Sequence, residues 1–255
     1  MPKDKIRLDE YLKNSDLVQN KSHIQSLILS GSVLVNDIPI TKVGTTIRLT
    51  DIVRIREKIK TYVSRGAFKL EGAFLSFPDL NVDNCVCIDL GASTGGFTQV
   101  LLERNARHVY AVDVGYGQLA QRIANDPRVT VLDRTHVNEI DWNQIKFRSS
   151  QMFVCMDLSF ISLIKIFPSI TRLFALDSSI EWQGISLIKP QFELDASFLD
   201  RGIVKDRKKQ LESIRNVWRN IKRQDPKFKF KGLVESPIQG ADGNFEFLLY
   251  WKYEN

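Results

Sequence analysis

Cys85-Val86-Cys87-Ile88-Asp89-Leu90-Gly91-Ala92-Ser93-Thr94-Gly95-Gly96-Phe97 is the stretch on which the reading of this chain turns. An apolar run ends at an acidic residue, passes through a glycine-rich turn and enters the helical pattern of Phe97–Arg104. A strand-to-helix turn of this kind lets a ligand approach the backbone and aims unpaired helix-start N–H groups at it. The acidic residue, Asp89, is placed to meet a hydroxyl or cationic group of a cofactor. Twenty-four residues further on, Val109-Tyr110-Ala111-Val112 ends in Asp113, where a carboxylate accepts hydrogen bonds from ribose hydroxyls. The two features together fit a nucleoside-containing cofactor and do not choose among them. A nicotinamide dehydrogenase satisfies both as well as any other fold relative.

Working outward, strand-like runs recur at Cys85–Leu90, Val109–Val112, Val129–Leu132, Met152–Met156 and Ile185–Ile188, with segments of helical length or polarity between them. This βαβ rhythm predicts an α/β domain: a mostly parallel sheet covered by helices on both faces, with ligands at the carboxyl ends of its strands. The chain then changes character. Phe228–Val234 and Phe245–Trp251 read as two strands joined by the turn Ser236–Gly243, an antiparallel hairpin that closes the sheet. Asp157 ends the fourth parallel run and Lys189 the fifth, so both belong at one cleft above the sheet. Ser64-Arg65-Gly66-Ala67-Phe68-Lys69-Leu70-Glu71 opens the domain as a helix, and Asn244-Phe245-Glu246-Phe247 begins the last strand. Taken singly, Lys69 and Glu246 pass for solvated charges.

The first 60 residues have a different pattern, with brief apolar runs among many charges, and they form a separate small α+β domain. The predicted division is 1–60 and 61–255, with a polar linker at about 58–63. Leu8, Tyr11 and Leu12 share one face of a short helix. Asn20 caps a second helix carrying Ile24, Leu27 and Ile28, and Gly31 ends it. Val33-Leu34-Val35-Asn36-Asp37-Ile38 is a strand entering a tight turn, followed by strands at Thr46–Leu49 and Ile52–Ile55. Eleven Lys/Arg against seven Asp/Glu in residues 1–60 give this quarter +4 of the chain's formal +6. A basic balance suits a polyanionic partner.

With 43% hydrophobic and 26% charged residues the chain has a globular composition, which excludes disordered and collagen-like classes. No run of about 18 apolar residues is present, and Met1-Pro2-Lys3-Asp4-Lys5 lacks the apolar segment of a secretory signal, so a cytoplasmic protein without stable membrane association is expected. Cys85, Cys87 and Cys155 fall in apolar runs without C-x-x-C spacing, which predicts buried, unreactive thiols. Neither they nor His23, His108 and His136 have metal-ligand spacing, so no metal is expected.

The order of these segments resembles the TlyA family, in which an S-four-type RNA-binding module is fused to an FtsJ-like ribose methyltransferase domain. The resemblance rests on Arg7-Leu8-Asp9 and Gly31-Ser32-Val33-Leu34-Val35-Asn36 in the small domain. In the large one it rests on the Ser64–Leu70 segment, the Asp89–Thr98 turn, Val112-Asp113-Val114-Gly115-Tyr116-Gly117-Gln118-Leu119, Lys189-Pro190-Gln191-Phe192-Glu193 and Gly243–Phe247. It implies a Rossmann-like S-adenosylmethionine (SAM)-dependent methyltransferase sheet, a ribose 2′-hydroxyl of ribosomal RNA as substrate, with cytidine as the nucleotide, and ribosomal subunits as partners. It further implies a catalytic tetrad at Lys69, Asp157, Lys189 and Glu246, in which Lys189 accepts or polarises the hydroxyl proton under the like charge of Lys69 while the carboxylates position the lysines. Cofactor contacts fall on Asp89, Gly91, Ala92, Ser93, Gly95, Gly96, Asp113, Thr135 and His136, the last where an Asn is commoner in the family. RNA contacts fall on Arg7, Lys21, Arg48, Arg54 and Arg56, with Arg65 beside the linker; Asn20-Lys21 stands where Ser-Arg is usual, and a lysine lacks the bidentate reach of a guanidinium. A non-catalytic RNA-binding factor and a membrane-active haemolysin are the other functional readings.

Overall fold

The computed structural model describes residues 4–15, 17–18, 24–29, 31–56, 62–140, 145, 149–175, 177–240 and 243–254. Its internal contacts divide the chain into two units, Met1–Thr61 and Tyr62–Asn255.

The first unit contains β1 (Lys5–Arg7), α1 (Leu8–Asn14), α2 (Ile24–Leu29), β2 (Val33–Val35), β3 (Ile38–Ile40), β4 (Thr46–Arg48) and β5 (Val53–Ile55). Leu8 and Leu12 stand one turn apart on α1 and are fully buried with Ile28 and Val33. α2 ends where Gly31 adopts φ +70° and donates to Ile28 O, while Ser32 donates to Leu27 O, the two bonds that close a helix through a left-handed residue. Asn36 and Asp37 both have positive φ, as a two-residue hairpin between β2 and β3 requires. β4 and β5 are near in sequence yet join different sheets, β4 with β1 and β5 with β2. Asn20 and the linker at Lys58–Thr61 lie outside the described residues.

The second unit contains α3 (Ala67–Ser76), β6 (Val86–Leu90), α4 (Gly96–Glu103), β7 (His108–Val112), α5 (Gln121–Ala124), β8 (Val129–Leu132), β9 (Gln151–Met156) and α6 (Leu163–Phe174). It continues with β10 (Glu181–Ile188), α7 (Pro190–Glu193), α8 (Arg207–Gln224), β11 (Phe228–Glu235) and β12 (Phe247–Tyr253). The seven strands lie in the order β11-β12-β10-β9-β6-β7-β8. β10, β9, β6, β7 and β8 are parallel, and β12 is antiparallel to both of its neighbours. Chain order reverses at β6, with β7 on one side and β9 on the other, and this is where a crevice opens at the carboxyl ends of parallel strands.

The central strands are largely apolar because both of their faces are covered. Val86, Ile88 and Leu90 of β6, with Met152, Val154 and Met156 of β9, pack on the side of α6 and α8. Cys87, Phe153 and Cys155 point the other way, against Leu70, Phe74 and Phe97 of α3 and α4. The thiols are buried, and burial pushes those of Cys87 and Cys155 well above the ordinary range. Trp251 crosses β10 at Gly184 and donates its indole N–H to Ser186 Oγ at 2.8 Å.

Several boundaries differ from the sequence reading. β10 starts at Glu181 rather than Ile185, because Gln183 and Gly184 mask its beginning. β12 starts at Phe247, two residues later than expected, which leaves Glu246 in the connection before it. Ser64–Gly66 form a turn, and α3 begins at Ala67.

Among the described residues Asp89 is the one fully buried carboxylate within a strand of this sheet. Thr98 Oγ1 donates to it at 2.6 Å and Cys155 Sγ lies 3.5 Å away, so Asp89 ties β6 to the first turn of α4. Burial pushes its carboxyl up to about 6.

Two outcomes are expected. Gly184→Ala places a methyl group against the Trp251 ring and 2.5 Å from Val154 O, an overpacking that costs about 1–3 kcal/mol and lowers Tm in a thermal melt. Between about pH 4 and 6 native Asp89 holds a proton that the unfolded chain has released, so its contribution to stability falls as pH rises through that window. Asp89→Asn keeps the Thr98 bond without the charge. Relative to wild type it should therefore gain up to about 3 kcal/mol between pH 4 and 7 in urea unfolding; a difference independent of pH would refute the assignment.

Candidate active site

Asp113, at the end of β7, anchors the glycine-rich turn. Its Oδ2 accepts the Ser93 N–H at 2.8 Å and its Oδ1 the Gly115 N–H at 2.7 Å, so one carboxylate fastens the loops after both β6 and β7. Gly91 (φ +85°) leaves no room for a side chain, since a Cβ there would stand 2.7 Å from Asp157 O. Gly95 (φ +97°) precedes α4, where a Cβ would meet Leu119 at 2.8 Å. Gly96 opens α4 against the Ser64–Ala67 turn.

Beside this turn lies a cavity of about 560 Å³, lined by Gly91, Ser93, Asp113, Thr135 and His136 and by an apolar wall that includes Val114, Val137 and Leu158. Its size and mixed lining fit a nucleoside-bearing ligand. Thr135 donates its hydroxyl to Asp133 O, and His136 Nδ1 accepts the Asn138 N–H at 3.3 Å, capping a short 3₁₀ turn. A small recess of about 120 Å³ is bounded by Gly91, Ala92, Ser93 and Gly96. Asp89 lines none of these spaces: it is fully buried, and its oxygens face Thr98 and Cys155.

A second cavity, of about 620 Å³, shares Gly91, Ser93 and Asp157 with the first and holds Lys69, Lys189 and Glu246. Four separate elements deliver these groups: α3 gives Lys69, the ends of β9 and β10 give Asp157 and Lys189, and the connection into β12 gives Glu246. Lys69 Nζ lies 3.0 Å from Asp157 Oδ2 and 2.7 Å from Glu246 Oε2; Lys189 Nζ lies 2.7 Å from Asp157 Oδ1 and 4.0 Å from Glu246 Oε1. Lys69, Lys189 and Glu246 are buried, a costly position for a charge unless it is paired. Burial acts to lower the Lys69 ammonium, but Asp157 and Glu246 outweigh it and hold the group above its ordinary range. Burial likewise acts to raise Asp157, and the two lysines outweigh it and bring the carboxyl below its usual value.

Several neighbours of these groups were not singled out by the sequence motifs. Ser159 Oγ is 3.2 Å from Lys189 Nζ. Gly240 has no side chain because Glu246 occupies the space one would take. Phe160 holds φ +63°, is 91% exposed at the rim of both cavities and stands 5.4 Å from the Phe192 ring. A large apolar side chain that is both exposed and in a left-handed backbone is a signal that only coordinates reveal.

The expected RNA contacts are distributed differently. Arg65 is exposed at the rim of the second cavity. In the first unit Arg48, Arg54 and Arg56 are exposed, Arg54 lying 3.5 Å from Asp37. Arg7 donates from Nε and Nη2, one edge of its guanidinium, to Asp9 at 3.0 and 2.9 Å, so a phosphate must compete with that carboxylate for this edge. Lys21 lies outside the described residues.

Residues 62–253 match the FtsJ-like methyltransferase family, and residues 6–53 match the S4 domain. The chain is 38% identical to Hemolysin A of Brachyspira hyodysenteriae, over 96% of this chain and 99% of that protein. It is 37% identical to the 16S/23S rRNA (cytidine-2′-O)-methyltransferase TlyA of Mycobacterium tuberculosis, over 96% of this chain and 89% of that one. A solved structure from Streptococcus thermophilus, assigned as a hemolysin, superposes with a TM-score of 0.68 at 32% identity, covering 100% of this chain and 90% of that one. With full-length relatives at this identity and both domain models matched in order, the chain belongs to the TlyA family, an FtsJ-like methyltransferase domain preceded by an S4 domain.

Proposed function

We propose that the protein methylates a ribose 2′-hydroxyl of ribosomal RNA, at cytidine, using SAM. The observation that carries this reading is the meeting of Lys69, Asp157, Lys189 and Glu246 where the two cavities join. When bound, SAM supplies an electrophilic methyl group on a sulfonium. Asp113 would hold the cofactor ribose, Gly91, Ala92 and Ser93 with the turn made by Gly95 and Gly96 would hold its methionine end, and Thr135 and His136 would hold the adenine.

Lys189 Nζ meets the substrate 2′-oxygen, holds it in line and accepts or polarises its proton as the new carbon–oxygen bond forms. A ribose hydroxyl is too weak an acid to ionise unaided at neutral pH, so a positive or basic group at that oxygen is what the reaction needs. Asp157 and Glu246 fix the direction of both lysine side chains, and Lys69 supplies positive charge near the developing alkoxide. The exposed face of Phe160 gives an unstacked base an apolar surface at the cavity rim. Arg65 guides the RNA backbone toward the cleft, and the first unit holds structured RNA through Arg7, Lys21, Arg48, Arg54 and Arg56. Such an activity belongs in the cytoplasm. Among the described residues no helix is long and apolar enough to cross a membrane.

The decisive experiment transfers labelled methyl from SAM to purified 30S, 50S and 70S particles lacking the modification, then maps the product by nuclease digestion. Lys189→Ala should lower turnover by about 10²–10⁴-fold with SAM affinity unchanged. Loss of SAM binding in that variant would remove Lys189 from the transfer step. SAM binding by wild type without label in any particle would favour a non-catalytic RNA-binding factor. Asp113→Ala, measured by calorimetry, should weaken SAM by about tenfold or more.

A further inference from the structure

The charge of this protein is concentrated in a place that domain composition conceals. α8 holds seven Lys/Arg and one acidic residue, Glu212. Removing those eight from the chain's 36 basic and 30 acidic residues leaves 29 of each sign, so the whole formal excess of +6 equals the charge of this one helix.

Three of the seven cations are occupied. Arg207 pairs with Glu235 and Lys209 with Glu212, both at 2.8 Å, and Lys222 donates to the Pro226 and Phe228 carbonyls. Lys208, Arg215, Arg219 and Arg223 are exposed and have no ion pair among the described residues. At 100° per residue they fall within about 80° of one another around the helix, in a stripe that extends for most of its roughly 27 Å. Lys208, Arg215 and Arg219 line a shallow groove of about 660 Å³ together with Leu211, Glu212 and Asn216. A face that serves only solubility mixes both signs and gains from i, i+4 pairs, whereas Arg215 and Arg219 repel at that spacing.

The stripe begins next to the chemistry. α8 follows the Leu199–Gly202 segment, whose ends line the cavity holding the tetrad. Gln210 Nε2 donates to Val204 O, and Val204 N–H donates to Asn244 Oδ1, two residues before Glu246.

We propose that this outer face of α8 is a second RNA-docking surface, on which the four free cations follow the phosphates of a structured RNA leading into the active site. The proposal rests on the RNA-methyltransferase reading above and adds a surface to it. Guanidinium groups on a rigid helix suit phosphate oxygens, which they bind bidentately. An anionic membrane fits less well: a membrane-surface helix inserts an apolar stripe, and the apolar stripe of α8, Ile214, Val217 and Ile221, is buried in the core.

The test uses the full chain with Lys208, Arg215, Arg219 and Arg223 all changed to Gln, a good helix former, with a melting curve and SAM calorimetry confirming an intact fold. Binding to ribosomal RNA is measured across a KCl series, and methyl transfer across a range of subunit concentrations. The expected result is a log Kd against log[KCl] slope shallower by about 3, and a KM for the subunit raised tenfold or more with kcat retained. Unchanged slope and KM with normal SAM binding would overturn the docking surface. Label transfer by neither wild type nor variant, with the salt slope still lost, would defeat the methyltransferase reading and leave the surface standing. Binding to phosphatidylcholine/phosphatidylglycerol vesicles that depends on the four cations, without any effect on RNA binding, would assign the face to a membrane instead.

Discussion

Two lysines and two carboxylates, brought together at the carboxyl end of the sheet and largely withdrawn from water, form the contact on which the site depends. Each charge is tolerable there because the opposite charges are within reach: Asp157 meets both lysines, and Lys69 meets both carboxylates. Removing one partner from such a cluster leaves a buried charge uncompensated, at a cost of about 3–5 kcal/mol. The four groups come from α3, β9, β10 and the connection into β12, so the pairing also binds distant parts of the domain into one unit.

The rest of the domain makes that meeting possible. The reversal of strand order at β6 opens a crevice, and Asp113 closes two loops around its near side through the Ser93 and Gly115 amides. Insertion of β12 between β10 and β11 brings Glu246 beside Lys69, which a simple edge hairpin would not do. Gly240 gives way to the Glu246 carboxylate, and Gly184 gives way to Trp251, which anchors β12 across β10. Small residues in these two places let larger functional and structural side chains pass.

Covering both faces of the sheet has a cost that the interior shows directly. Asp89 is held in the middle of an apolar strand, supported by Thr98 and Cys155, with its carboxyl pushed up to about 6 by burial. Its burial explains why a residue that opens the glycine-rich motif lines none of these cavities.

Fold class, the five parallel strands, the glycine-rich turn, Asp113 and the tight turn at Asn36-Asp37 were legible in the sequence, because each depends on local periodicity or on a backbone conformation that few residues adopt. The resemblance to known proteins also picked out Lys69 and Glu246, which by local pattern alone look like solvated charges. Tertiary structure alone decided the rest. Where β12 inserts depends on pairing between strands far apart in sequence, so neither the placement of Glu246 outside the strand nor the space left by Gly240 appears in any local window. The same holds for Asp89, whose orientation is set by which face α4 covers, and for Phe160, whose exposure depends on the loop it ends in. The cations of α8 are visible in the sequence as a count, but their alignment on one free face follows from burial of the other face against the sheet. Local chemistry determines which elements can form, and long-range packing determines which side chains those elements bring together.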